Sequence, residues 1–173
     1  MHLLGFFIAQ TNLKRGFTLI ELVVCLGVFS IITWFAIPSW QQRQERSRVE
    51  AARDQLMNDL QTARLRAIQR GQALQLTRLN DCAWGTTSGT DWSCGWQLLV
   101  KLDQTVLQTS QLQAPLQVTF AKTLPLDINP RGDLGTVGER WVIKSRAPTL
   151  NIANTLCLSS ASRLRWQSGE SCS

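Results

Sequence analysis

Histidine is almost absent from this chain: of its 173 residues only His2 is one, at the N-terminal end. There is no G-x-S-x-G, no phosphate-binding glycine loop and no C-x-x-C, and the carboxylates are scattered. These absences remove the usual equipment of nucleophilic, phosphoryl and metal-assisted chemistry. The chain is therefore expected not to be an enzyme and to need no cofactor or bound metal. Internal repeats and low-complexity segments are also missing. With 44% hydrophobic residues the chain is not of the disordered class.

What it has is one long apolar run with a single charge in it. From Phe17 to Ile37 there are 21 residues, and Glu21 is the only charged one. At about 1.5 Å per residue this makes a helix of roughly 31 Å, the thickness of a bilayer's hydrocarbon core. Lys14-Arg15-Gly16 precedes the run. A carboxylate within a membrane helix costs roughly 2.5–3.5 kcal/mol on insertion scales and normally has a partner. Cleavage after Gly16 would supply one, a new amine at Phe17 one turn from Glu21, on the same chain or on a neighbour. The string Gly16-Phe17-Thr18-Leu19-Ile20-Glu21 followed by an apolar helix resembles the class III signal of type IV pilins and pseudopilins. The resemblance implies that a prepilin peptidase/methyltransferase cuts between Gly16 and Phe17 and N-methylates Phe17. It further implies that Glu21 docks the subunit among other major and minor pilins.

The expected organisation is then a leader over 1–16, a transmembrane half-helix over 17–38, an amphipathic half-helix over 39–71 and a β-rich head over 72–173. Lys14 and Arg15 favour a cytoplasmic N-terminus, whereas Arg43, Arg46 and Arg48 beyond the run argue against that orientation. The resemblance places the head outside: a single-pass inner-membrane protein with a periplasmic head, later part of an extracellular fibre. After Pro38 there are 16 Lys/Arg against 11 Asp/Glu, net +5. Most of the surplus is arginine, which suits bidentate contacts with phosphate or carboxylate.

Cys25 sits inside the apolar run as a small filler. The other four cysteines form two close pairs, Cys82/Cys94 and Cys157/Cys172, and an even count outside the cytoplasm favours disulfides. Three connectivities are open. The sequential one closes two short loops, worth about 3 kcal/mol each in the chain-entropy model. A zinc site is the rival, without a histidine to serve it.

Along the chain, Val49, Ala52, Leu56, Leu60, Ala63 and Ala67 recur at three- or four-residue spacing. This predicts one helix from Phe17 to Gln69, bent at Pro38 and ended by Gly71. Its end, Leu60-Gln-Thr-Ala63-Arg64-Leu-Arg-Ala67-Ile68-Gln-Arg-Gly71, resembles the GspH/FimT group of minor pilins. Beyond it the period becomes two: Leu74 and Leu76; Trp96, Leu98, Val100 and Leu102; Leu116, Val118 and Phe120. Trp141–Lys144 and Thr155–Leu158 are shorter candidates, separated from the rest by turns over 81–95 and 129–138. The expected fold is α+β and pilin-like: a long N-terminal helix packed on an antiparallel sheet of six to eight strands.

Arg163 and Arg165 are two apart, so in a strand they share a face with Leu164 opposite. Held in a Cys157–Cys172 loop beside Ser159, Ser160 and Ser162, they are a candidate contact for a DNA phosphate backbone. The alternatives are a solvated edge strand protected by charge and a contact to another pilin. The segment resembles the Gly-Arg-x-Arg ending of FimT-like minor pilins, linked to DNA uptake, with Ser162 in place of the glycine. Trp84, Trp92 and Trp96 are either core or base-stacking residues. Arg131, Arg140, Lys144 and Arg146 are candidates to extend a basic face. The function expected from these resemblances is that of a minor pilin that helps initiate or cap a type IV pilus. The alternatives are a type II secretion minor pseudopilin and a DNA-binding minor pilin for natural transformation.

Overall fold

A computed structural model of the chain describes residues 17–113, 115–135, 139–147 and 150–172, with side chains 34–38 also outside the description. The leader expected over 1–16, with Gly16 at its end, lies outside the described residues, as does part of the 129–138 turn. The chain forms two units, the first ending at Trp40 and the second beginning at Gln41.

Helix α1 runs from Leu19 to Arg70, continuous through Pro38. It starts on a cap that sequence reasoning passed over: the Thr18 hydroxyl accepts the Glu21 N–H at 3.3 Å, so Thr18 is the N-cap and Glu21 the third helical residue. It ends as expected at Gly71, whose φ of 61° is left-handed. Gly71 N–H donates to the Ile68 carbonyl and Gln72 N–H to that of Ala67, the paired bonds of a Schellman cap. Phe17, Leu19, Ile20, Val24, Leu26, Phe29 and Ile31 are all exposed in the single chain. Among the described residues no helix is long and apolar enough to cross a membrane. The apolar run expected to do so continues in sequence through residues 34–37, whose side chains are not described.

The second unit holds eight strands: β1 (Leu74–Arg78), β2 (Gly95–Val100), β3 (Val106–Gln111), β4 (Leu116–Phe120), β5 (Leu126–Ile128), β6 (Arg140–Ser145), β7 (Ala153–Leu158) and β8 (Leu164–Ser168). They make two antiparallel sheets, in the orders β3-β2-β1-β5 and β4-β6-β7-β8, in keeping with the expected α+β pilin-like head. Alternation identifies which residues point inward but carries no information on which strands pair. All six stripe residues of α1, from Val49 to Ala67, are buried in one core with both sheets. Leu102 departs from its expected inward place and is 94% exposed. The β2–β3 hairpin turns immediately after Val100, with Gln104 at φ 58°, and lifts Leu102 out of the alternation.

Candidate functional site

The helix-end motif has a mechanical reason. Leu60, Ala63 and Ala67 are buried in the core, and Arg64 acts as a fork across the head. Its Nε donates to the Gly132 carbonyl at 2.8 Å and its Nη1 to the Ser162 carbonyl at 3.0 Å. Gly132 has φ 84°, and a Cβ there would lie 2.8 Å from Ile68 Cδ1. One arginine thus ties α1 to the 129–134 turn and to the turn that precedes Arg163.

That second turn is built on Ser162, buried and at φ 56°. The left-handed conformation normally belongs to glycine. Here the serine hydroxyl accepts the buried Leu134 N–H at 3.1 Å, a contact glycine lacks. The turn is closed by Ser162 N–H to the Ser159 carbonyl and by Arg163 N–H to the Ser159 hydroxyl. Arg163 precedes β8 and Arg165 lies within it; both are exposed, whereas Leu164 and Trp166 pack on the core. The Arg53 guanidinium stands 5.7 Å from the centre of the Trp166 ring, which assigns that ring to packing.

The two arginines line an open groove of about 730 Å³ with Ser159, Ala161 and the Cys157–Cys172 disulfide. Among the described residues no Asp or Glu side chain lines it. Strand register puts Arg140 and Arg165 on either side of Cys157, so all three share one face of the sheet. Arg140 is thereby brought beside the site. Arg131 sits instead on the 129–134 turn, Lys144 faces Glu170 at 3.5 Å, and Arg146 donates to the carbonyls of Trp84 and Leu116.

Both disulfides are those that close the short loops: Cys82–Cys94 with S–S 2.07 Å and Cys157–Cys172 with S–S 1.96 Å. No group of residues that could hold a metal occurs among the described residues. Of the three tryptophans around the first loop, Trp92 and Trp96 are core residues and Trp84 is half-buried. Trp92 packs edge-on against Phe120 and Trp141 at 5.2 and 6.0 Å, and Trp96 donates to Asp59 at 2.8 Å. Trp84 donates its indole N–H to the Ser93 carbonyl at 3.1 Å. The burial of Trp92 and Trp96 removes both from any stacking platform for bases. The loop is pinned by Asp91, which accepts from Thr86 and Ser93. Burial by itself would raise this carboxyl, but the Ser93 and Thr86 hydrogen bonds outweigh it and hold Asp91 below the usual carboxylate range.

A capped N-terminal helix whose second half fills the core between antiparallel sheets defines a pilin-like subunit. Residues 52–166 match the family model of type II transport protein GspH, and residues 11–37 match the prokaryotic N-terminal methylation motif. The chain belongs to the GspH family of minor pilins and pseudopilins. Its fold is similar to that of type IV minor pilin FimU of Pseudomonas aeruginosa PAO1, at 20% identity and TM-score 0.56, covering 77% of this chain and 98% of that one. It is also similar to minor pseudopilin EpsH from the type 2 secretion system of Vibrio cholerae, at 14% identity and TM-score 0.52, covering 69% and 96%. No curated protein matches the chain. The family and the methylation motif together imply processing by a prepilin peptidase, membrane anchoring and assembly with other pilins.

Proposed function

We propose that the chain is a minor pilin of a type IV pilus. It is cleaved between Gly16 and Phe17, methylated on Phe17, and held in the inner membrane by residues 17–38 until it enters the fibre near its tip. The observation that carries this reading is the first unit of α1, a helix exposed on every described apolar side chain and bearing one carboxylate in its first turn. Such a surface needs a cover of lipid or of similar helices. Glu21 then pairs with the amine of a neighbouring subunit and sets its axial register. The helix-end motif supports a minor subunit rather than a major pilin, and the likeness to FimU is what supports a pilus over a secretion pseudopilus. Deletion of the gene is expected to abolish surface pili and leave protein secretion intact; the reverse outcome makes the chain a type II secretion pseudopilin.

The Arg163/Arg165 groove, with Arg140 on the same sheet face, supports a second reading in which the head also holds DNA by its phosphates. Binding of that kind is sequence-independent and weakens steeply with salt. The full-length chain in detergent is expected to retain DNA at low salt, with Arg163→Ala/Arg165→Ala losing most of that retention. Equal retention by both forms removes these arginines from the site.

A further inference from the structure

The four edges of the two sheets are finished differently. Along β4 the segment 90–93 closes the edge: Trp92 N–H donates to the Val118 carbonyl and Phe120 N–H to that of Thr90. β5 is covered by the turn that follows it, where Gly135 N–H donates to the Asp127 carbonyl. β8 carries the exposed Arg165, with Arg163 just before it. β3 has neither cover nor charge. Leu112 N–H donates to the Cys94 carbonyl, so by antiparallel alternation Ser110 and Gln108 also face β2, and Thr109 and Gln111 face away from it. Both are exposed, and among the described residues no hydrogen bond outside the β2 ladder reaches their backbone. Between Asp103 and Lys122 the chain has no charged residue. Soluble proteins ordinarily protect such an edge with charge. Here a bulge at Leu107 interrupts only its first part, leaving Gln108–Gln111 regular.

The edge also has a shape at one end. It opens on a groove of about 280 Å³, lined by Gln111, Leu112 and Leu116 and by Ala51, Ala52 and Gln55 of α1. Leu112, Leu116 and Ala52 are buried and give the groove an apolar floor. β3 is held from behind, since Gln108 donates to Asp59 of α1 at 2.6 Å. We propose that β3 takes an extended, uncharged segment of a neighbouring subunit as a fifth strand of its sheet, with one apolar side chain of that segment in the groove. The identity of the neighbour rests on the assembly reading above. Open donors and acceptors on alternate residues match a polypeptide in the β conformation, and the groove fixes its register. The neutral edge selects against charged segments, whose ions would lose water there without gaining a partner. A second copy is the wrong occupant. Two heads paired β3 to β3 about a two-fold axis run their α1 helices in opposite directions, whereas the helices of subunits assembled side by side run the same way.

The probe is a synthetic peptide with the sequence of residues 104–113, an uncharged strand free of any head, added to the full-length chain in detergent. Fluorescence anisotropy is expected to show binding, and hydrogen exchange to slow at the Thr109 and Gln111 amides. The same peptide with Gln108→Lys/Ser110→Lys is expected to bind roughly tenfold more weakly. In the chain, Thr109→Pro removes an outward N–H and no ladder bond, so it is expected to fold and to lose most of the binding. Should it misfold, Thr109→Lys/Gln111→Lys carries the test in its place, by charging the edge. Equal binding of the two peptides, or unchanged affinity in the edge variants, overturns the proposal. So does sedimentation of the chain alone as a dimer with the same two amides protected, because the occupant is then a second copy. In cells the edge variants are expected to be processed at Gly16/Phe17 and to enter fibres less. Normal entry of a variant that binds no peptide refutes the neighbour as occupant. Peptide binding by a chain that a prepilin peptidase leaves uncut refutes the assembly reading and keeps the edge.

Discussion

Ser162 is a serine in a glycine's conformation, and its hydroxyl explains how it is tolerated. A left-handed non-glycine residue costs about 1–3 kcal/mol. The bond to Leu134 N–H offsets this, since a buried donor left unpaired costs about 1–3 kcal/mol. Ser162→Ala keeps the strain and loses the bond, so a loss of roughly 1–3 kcal/mol is expected in urea unfolding. Ser162→Gly loses the bond but relieves the strain, and is expected to be the milder of the two. A more stable alanine variant would show that the hydroxyl contact contributes nothing. Arg64 presents a similar case. Lysine lacks the fork that reaches the Gly132 and Ser162 carbonyls together. Arg64→Lys is expected to cost roughly 1.5–3 kcal/mol, one charge-assisted bond, by the same measurement.

Among the elements, the 82–94 loop depends on a carboxylate as well as on its disulfide. Asp91 has a lower pKa in the folded chain than in the unfolded one, where it is near 3.9. The unfolded chain therefore takes up the proton first as pH falls. The contribution of Asp91 is complete above about pH 4 and fades as pH drops through the folded value. Asp91→Asn is expected to lower stability at neutral pH and to flatten the acid limb of stability against pH. An acid limb parallel to that of the unaltered chain would remove Asp91 from that role. Helix α1 was the most legible element. Its period names the six buried residues and Gly71 names its end, because a helix buries one stripe and stops on a residue that tolerates positive φ. The strands were less so. β3 carries Gln, Thr and Ser on a sheet edge, and β5 is three residues long, so neither shows clear alternation.

For the whole molecule, the decisive variant is Glu21→Ala. Processing at Gly16/Phe17 is expected to persist, read by mass spectrometry of the mature N-terminus, while incorporation into fibres falls. Normal incorporation would refute the pairing role and leave Glu21 as a first-turn acid that suits the helix dipole. A Phe17 left uncut by a prepilin peptidase would refute the assembly reading altogether.

The sequence by itself determined the apolar run with its lone acid, the inward stripe and the helix stop, and it favoured the two short cysteine loops among three connectivities. Each is a local pattern, set by residues within a few turns or one loop of each other. Only the tertiary structure decided that the strands divide between two sheets and that Trp92 and Trp96 are packed inside. It alone joined Arg64 to two distant turns, set Arg140 across Cys157 from Arg165, and brought Arg46 and Glu50 of α1 into one cleft with Asn154 and Glu170. Those relations depend on strand pairing and on the packing of sheet against helix. They bring together residues tens of positions to more than a hundred apart, beyond the reach of any local period.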